Sequence, residues 1–243
     1  MPRPRLLLRA TVLAALVLAA AAAGLAWLGW ERGWTWNHPD PRRFPVLGID
    51  VSRHQGKIDW KAVAAQPRIR FAYVKATEGT SWIDPEFARN LALAKREGLR
   101  VGAYHYFGFC TRGADQARHF LSVVPADPDM LPAALDVESD PSCPVCPSRE
   151  ALVQEIDAWG KTVEAATGKR PVVYVTDDSY RTLLSGSGLP YRLWIRDLFF
   201  EPRPPGGEEW AFWQWHARGR IRGVTGIVDL DTYRSELGPF EGL

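Results

Sequence analysis

From residue 46 onward, short apolar runs alternate with stretches whose apolar positions recur at helical spacing. Runs rich in Val, Ile, Leu and aromatic residues at 46–52, 71–77, 100–107, 132–138, 172–176, 192–197, 210–216 and 226–233 predict eight strands. Helical periodicity fills 59–66, 85–97, 113–123, 148–167 and 178–184. Ser148, followed by Glu150, starts the longest of these as an N-cap, and Gly168 ends it. Gly98 ends 85–97 in the same way, behind Lys95 and Arg96 in the last turn. Connections after the sixth strand are too short for full helices. Eight strands in alternation with helices predict an α/β fold, a modified (β/α)8-type barrel with reduced helices in its second half. An open doubly wound sheet is the alternative, but no Gly-rich phosphate fingerprint follows the first strand.

The N-terminus follows a different pattern. Residues 11–30 carry no charge and are mostly Ala, Leu and Val, an apolar run of the length needed to span a bilayer. Arg3, Arg5 and Arg9 precede it, so the rest of the chain should face away from the cytoplasm. Trp27, Trp30, Trp34 and Trp36 stand where an interfacial aromatic belt would lie. A membrane anchor is the reading taken. A signal peptide cleaved among the alanines at 20–23 competes with it, and either exports the protein. The expected organisation is thus a membrane segment over 1–30, a Pro- and Arg-containing linker over 31–45, and one catalytic-sized domain over 46–243.

Composition narrows the partners. Six of the 30 Lys and Arg precede Phe44, against two of the 28 acids, so the domain itself is near neutral. No basic field suggests nucleic acid, and a monomer is expected. Of the three cysteines, Cys143 and Cys146 have C-x-x-C spacing, but no second pair or nearby His supports zinc, so no metal or other cofactor is expected. In an oxidising compartment one disulfide and one free thiol follow. Cys110 with Cys143, two loops on one rim, is the pairing chosen.

In a barrel the C-terminal ends of the strands define the active face, and polar residues gather there. The first strand ends near Asp50, the second in Lys75 and Glu78, the third in Tyr104, His105 and Tyr106, the seventh in Gln214 and His216. The eighth carries Asp229 and Asp231. The fourth ends in Asp136 and Glu138, whose spacing of two puts both carboxyls on one strand face, with Cα atoms about 6–7 Å apart. Like charges so close raise one pKa, and a protonated carboxyl beside an ionised one is the equipment for glycosidic cleavage. For His54, His105 and His216 a structural, hydrogen-bonded role is the simpler reading. Trp60, Trp82, Trp159, Trp194, Trp210, Trp213 and Trp215 belong to the domain. Trp159 fits the core, while Trp194, Trp213 and Trp215 lie near the rim, where rings can stack on sugars or fill the barrel.

Six motifs in order make the chain recognisable: GIDVSRHQG at 48–56 with IDW at 58–60, YVKATEG at 73–79, DPEF at 84–87, GAYHYF at 102–107, LDVE at 135–138, and a close formed by WAFWQW at 210–215 and GIVDLD at 226–231. Together they resemble the glycoside hydrolase family 25 lysozymes, the Chalaropsis-type N-acetylmuramidases. The resemblance implies a flattened β/α barrel that cuts the β-1,4 bond between N-acetylmuramic acid and N-acetylglucosamine in peptidoglycan strands of the bacterial cell envelope. It implies Glu138 as general acid and Asp136 as the carboxylate that stabilises an intermediate formed by the substrate's own acetamido group. Asp50 and Asp229 match two further active-site aspartates, and Lys75, Glu78, Tyr104, Tyr106, Tyr174, Trp194 and Gln214 are the candidate substrate contacts. Physical chemistry adds that the less solvated carboxyl should hold the proton.

Two departures stand out. The family usually has Asn where Asp231 stands, and commonly a small residue then Tyr after the Trp matched by Trp194, where this chain has Ile195, Arg196 and Asp197. A metal-dependent deacetylase or amidase would need a His pairing that is absent from this sequence. A non-catalytic envelope glycan binder is the remaining alternative, and it gains little from mutually repelling acids.

Overall fold

A computed structural model describes residues 4–31, 35, 37–138, 140 and 143–240. Arg3, Trp34 and Trp36 of the expected membrane flank lie outside the described residues, as does the side chain of Trp30. The chain divides into two compact units, Met1–Trp36 and Asn37–Leu243.

The first unit is one helix, α1 (Pro4–Glu31). Its stretch Thr11–Gly29 has a mean hydropathy of 2.2 and is long and apolar enough to cross a membrane.

The second unit is a closed barrel. Its strands are β1 (Leu47–Val51), β2 (Ile69–Glu78), β3 (Trp82–Ile83), β4 (Arg100–Tyr106), β5 (Ala134–Asp136), β6 (Val172–Thr176), β7 (Arg192–Arg196), β8 (Trp210–Gly219) and β9 (Val228–Tyr233). The order β1-β9-β8-β7-β6-β5-β4-β2 closes through a β1–β2 pairing, and β3 is a short hairpin arm on β2. Six neighbouring pairs are parallel, while β9 runs antiparallel to both β8 and β1. The segment from Gly219 to Val228 is too short for a parallel crossover, which needs a dozen or more residues. The predicted eight-stranded barrel is therefore present, with its last strand reversed.

Alternation along β2 shows how the wall is built. Phe71 and Tyr73 point into the barrel, while Ala72, Val74 and Ala76 join the cluster under the helices. The inner rings need space on the flanking strands. Gly48 pairs with Phe71 and Gly102 with Tyr73, and a Cβ at either glycine would come within 2.3 Å of the ring it faces. Trp194, Phe212 and Tyr233 complete an aromatic interior, with Tyr73 and Trp194 centroids 4.8 Å apart.

The helices are α2 (Trp60–Ala64), α3 (Phe87–Arg96), α4 (Gly113–Val123) and α5 (Arg149–Thr167). A short turn, Asp177–Ser179, runs on as a π-helical turn through Tyr180–Leu184. In α5 the Ser148 hydroxyl accepts the Ala151 N–H and Gly168 closes the helix at φ 70°, as the sequence predicts. Its buried face is Leu152, Ile156, Trp159, Gly160 and Val163, a stripe at helical spacing. Residues ahead of β1 belong to the same unit: Phe44 is buried and packs on Trp210 and Trp213. Cys110 and Cys143 form the chosen disulfide between the loops after β4 and β5, leaving Cys146 as an exposed thiol.

Candidate active site

Parallel strands place their C-terminal ends on one rim, and the reversed β9 brings its first residues to that same rim. There a cavity of about 300 Å³ is lined by Asp50, Tyr104, Asp136, Glu138, Tyr174, Trp194, Gln214 and Asp229. All four expected catalytic carboxylates and four of the seven expected substrate contacts thus converge. Ser52, His54 and Gln55 from the turn after β1, and Arg196 from the end of β7, complete the wall.

Lys75, Glu78 and Tyr106 sit elsewhere on the rim. Lys75 Nζ is 2.8 Å from Glu78 Oε2 and lies over the rings of Tyr106 and Trp82 at 4.7 and 5.0 Å. The β2–β4 register shifts between Lys75 and Thr77, and none of these three residues is in the cavity lining. Lys75 still lowers the cost of the Asp136 charge through space.

A hydrogen-bonded chain crosses the cavity floor. Tyr174 Oη donates to Gln214 Oε1 at 3.0 Å, and Gln214 Nε2 donates to Asp50 Oδ2 at 2.7 Å. Asp231 stands in electrostatic contact with Asp50, and its Oδ1 accepts the Trp194 indole N–H at 2.9 Å. Asp231 is the more buried, and burial followed by the Asp50 charge holds it well above the usual aspartate range. Its Oδ2 has no hydrogen-bond partner among the described residues. Asp231, the departure from the usual Asn, is thus a buried acid under the cleft whose charge is disfavoured by burial and by Asp50.

Burial pushes Asp50 up to about 6, against the hydrogen bond from Gln214. Asp229, its partner across the β1–β9 ladder, is raised well above the ordinary value by burial and then by the Asp50 charge. Asp136 is raised in the same direction by burial and then by the Glu138 charge. It ends β5, buried, with Oδ1 lacking any hydrogen-bond partner among the described residues. Glu138 lies in a bend beyond the strand, and its backbone oxygen accepts the Ser179 hydroxyl at 2.9 Å. Its carboxylate is half-buried and stands 3.7 Å from Arg196 Nη1. Asp136 is therefore the less solvated of the pair. The expectation that the less solvated carboxyl holds the proton points to Asp136, not to Glu138.

His105 has a structural place. It is fully buried, with Nδ1 2.7 Å from Thr77 Oγ1 and Nε2 3.0 Å from Gln116 Oε1. Gln116 Oε1 also accepts the Gly108 N–H, so Nε2 carries the imidazole proton, and burial lowers the His105 pKa to about 4. His216 is buried and stacked on Trp215, while His54 is exposed at the cavity wall. The turn bearing His54 carried no signal as a cleft wall; Arg196 was visible only as a departure from the expected pattern.

A closed barrel with convergent carboxylates at its C-terminal rim defines a glycosidase-like site. Comparison with known proteins gives the family. Residues 49–224 match glycosyl hydrolases family 25, a span ending just before Asp229 and Asp231. YegX of Escherichia coli K12, an uncharacterized protein, is 39% identical over 198 residues, covering 79% of this chain and 71% of YegX. Lysozyme M1 of Streptomyces globisporus is 34% identical over 199 residues, covering 77% of this chain and 67% of that enzyme. The structure of a family 25 glycosyl hydrolase from Bacillus anthracis superposes with a TM-score of 0.76 at 32% identity, over 84% of this chain and 94% of that one. The chain belongs to glycosyl hydrolase family 25 and is a glycoside hydrolase.

Proposed function

We propose that this enzyme is an N-acetylmuramidase that cuts the β-1,4 bond between N-acetylmuramic acid and N-acetylglucosamine in peptidoglycan. The family, together with a relative named as a lysozyme, supports peptidoglycan as the polymer. The observation that carries the mechanism is Asp136: a buried carboxyl in the cavity wall with one oxygen unpartnered, beside an accessible Glu138. A buried acceptor left open costs stability, and a substrate N–H in the cleft would satisfy it. Asp136 then accepts the acetamido N–H and orients that group's carbonyl oxygen toward C1. As that oxygen bonds to C1, the glycosidic C1–O bond breaks and Glu138 protonates the departing oxygen. Water opens the cyclic intermediate, with Glu138 taking its proton. Asp50 and Asp229, off the D-x-E segment, bind sugar and shape the field. Mass spectrometry of the released muropeptides tests the bond: N-acetylmuramic acid at the new reducing ends is expected, and N-acetylglucosamine there would reject it.

The helix α1 serves as a membrane anchor in this reading, with the barrel on the far side of the membrane from the cytoplasm. Its apolar stretch behind Arg5 and Arg9 is the support. Fractionation with N-terminal sequencing decides between anchor and signal: an intact N-terminus in the membrane fraction is expected, and a soluble form beginning after residues 20–23 would replace the anchor by a cleaved signal.

A further inference from the structure

The geometry points to Arg196 as the reader of a carboxylate on the muramic-acid side chain, the residue that distinguishes this sugar from its uncharged neighbours in the strand. The inference rests on the muramidase reading above.

Arg196 is the last residue of β7, in register with Thr176 and Gln214 on the strands to either side. Among the described residues lining the cleft it is the only Lys or Arg, facing Asp50, Asp136, Glu138 and Asp229. Were its task only to neutralise these acids, hydrogen-bond contact with one of them would be the stable arrangement. Instead its Nη1 stands 3.7 Å from Glu138 Oε2, beyond hydrogen-bond length, and among the described residues its guanidinium makes no hydrogen bond to a cleft carboxylate. On the strand next to it the Tyr174 phenol is fixed by Gln214, so the floor beside the guanidinium is already hydrogen-bonded. The guanidinium stands at the end of β7, 38% exposed in an open cleft, with N–H donors to spare out of five. A planar fork held in this way matches a carboxylate by paired hydrogen bonds, and a half-desolvated site makes them stronger than in bulk water.

Substrate chemistry supplies the anion. N-acetylmuramic acid differs from N-acetylglucosamine by a 3-O-lactyl group, and Arg196 stands beside the proposed acid Glu138, where that sugar must sit for its glycosidic bond to be cut. The carboxylate has two sources. In strands without stem peptides it is the free lactyl group; in peptide-bearing strands the lactyl carboxyl is an amide and only the stem's own acids remain.

The test compares wild type with Arg196→Met on four soluble substrates: peptide-free glycan strands, the same strands with carboxyls converted to carboxamides, peptide-bearing strands, and their carboxamide counterparts. Arg196→Met also removes a charge beside Glu138, but that effect acts on each member of a pair alike and cancels in the ratio. Wild type should favour carboxylate over carboxamide strands in kcat/KM by about tenfold or more, as charge-assisted paired hydrogen bonds give. The variant should lose that preference, chiefly through KM. Loss on the peptide-free pair assigns the lactyl group, and loss confined to the peptide-bearing pair assigns the stem. Arg196→Lys, which keeps charge and stem but not the fork, should reduce the preference in the same direction and serves if the Met variant fails to fold. An unchanged preference in both variants, or none in wild type, overturns the inference. Absence of cleavage of all four substrates by wild type would overturn the muramidase reading and this inference with it.

Discussion

Replacing Asp50 by Asn should make the folded protein more stable at neutral pH while lowering its activity. The Asp50 carboxyl rises from 3.8 to about 6, because burial penalises its charge more than the hydrogen bond from Gln214 relieves it. One pKa unit corresponds to about 1.4 kcal/mol, so ionising Asp50 in the fold costs about 3 kcal/mol of stability. Water in the open cleft screens part of this, which leaves an expected effect of about 1–3 kcal/mol. Because the folded pKa is raised, this stability is fully present below 3.8 and lost as pH rises through about 6. Asn has no charge to desolvate, and its amide oxygen can still accept the Gln214 N–H. Asp50→Asn should therefore exceed wild type in urea unfolding at pH 7.5, with a Tm higher by about 2–4 °C per kcal/mol. At pH 3.5 the difference should vanish. A variant no more stable at pH 7.5, or equally stabilised at both pH values, would refute the electrostatic account of this cleft.

Two further predictions concern the scaffold. His105→Leu strips partners from Thr77 and Gln116 and should cost about 2–4 kcal/mol at pH 7 by urea unfolding. Wild-type His105, with its pKa lowered to about 4, loses stability as pH falls from 6.5 through 4, so the variant's deficit should shrink across that window; a deficit constant with pH would contradict the buried neutral ring. The Cys110–Cys143 bridge closes a loop of 33 residues, and its reduction should cost about 3–4 kcal/mol. Thiol titration of the unfolded, unreduced chain should find one thiol, Cys146, whereas three would exclude the bridge.

Much of the architecture was legible because burial imposes period on the sequence. All eight predicted strands lie in the barrel wall, and the Ser148 and Gly168 caps fall where local chemistry demands them. Direction is harder to read than existence: a strand's side-chain period is the same run either way, so the reversal of β9 followed only from the short connection before it. Spacing was also a blunt guide at the site. D-x-E suggested two carboxyls on one strand face, but β5 ends at Asp136 and Glu138 stands in the bend beyond it. Lys75 and Glu78 fall at a strand end like the cavity residues, yet they pair with each other outside the cavity lining. From sequence Asp231 could be an extra acid at the cleft or one facing away. Only the structure shows its full burial behind the cleft, where burial and the Asp50 charge both disfavour its ionised form.

Cleavage of glycan strands through Glu138 is the central claim, and reducing-end release from purified peptidoglycan by wild type and Glu138→Gln tests it most directly. Gln preserves the shape of the side chain but has no proton to give to the leaving oxygen. The variant should keep the wild-type Tm within a degree or two and still bind the strands, while its turnover falls by about 10²–10⁴. Turnover at the wild-type rate in a folded Glu138→Gln would contradict the account.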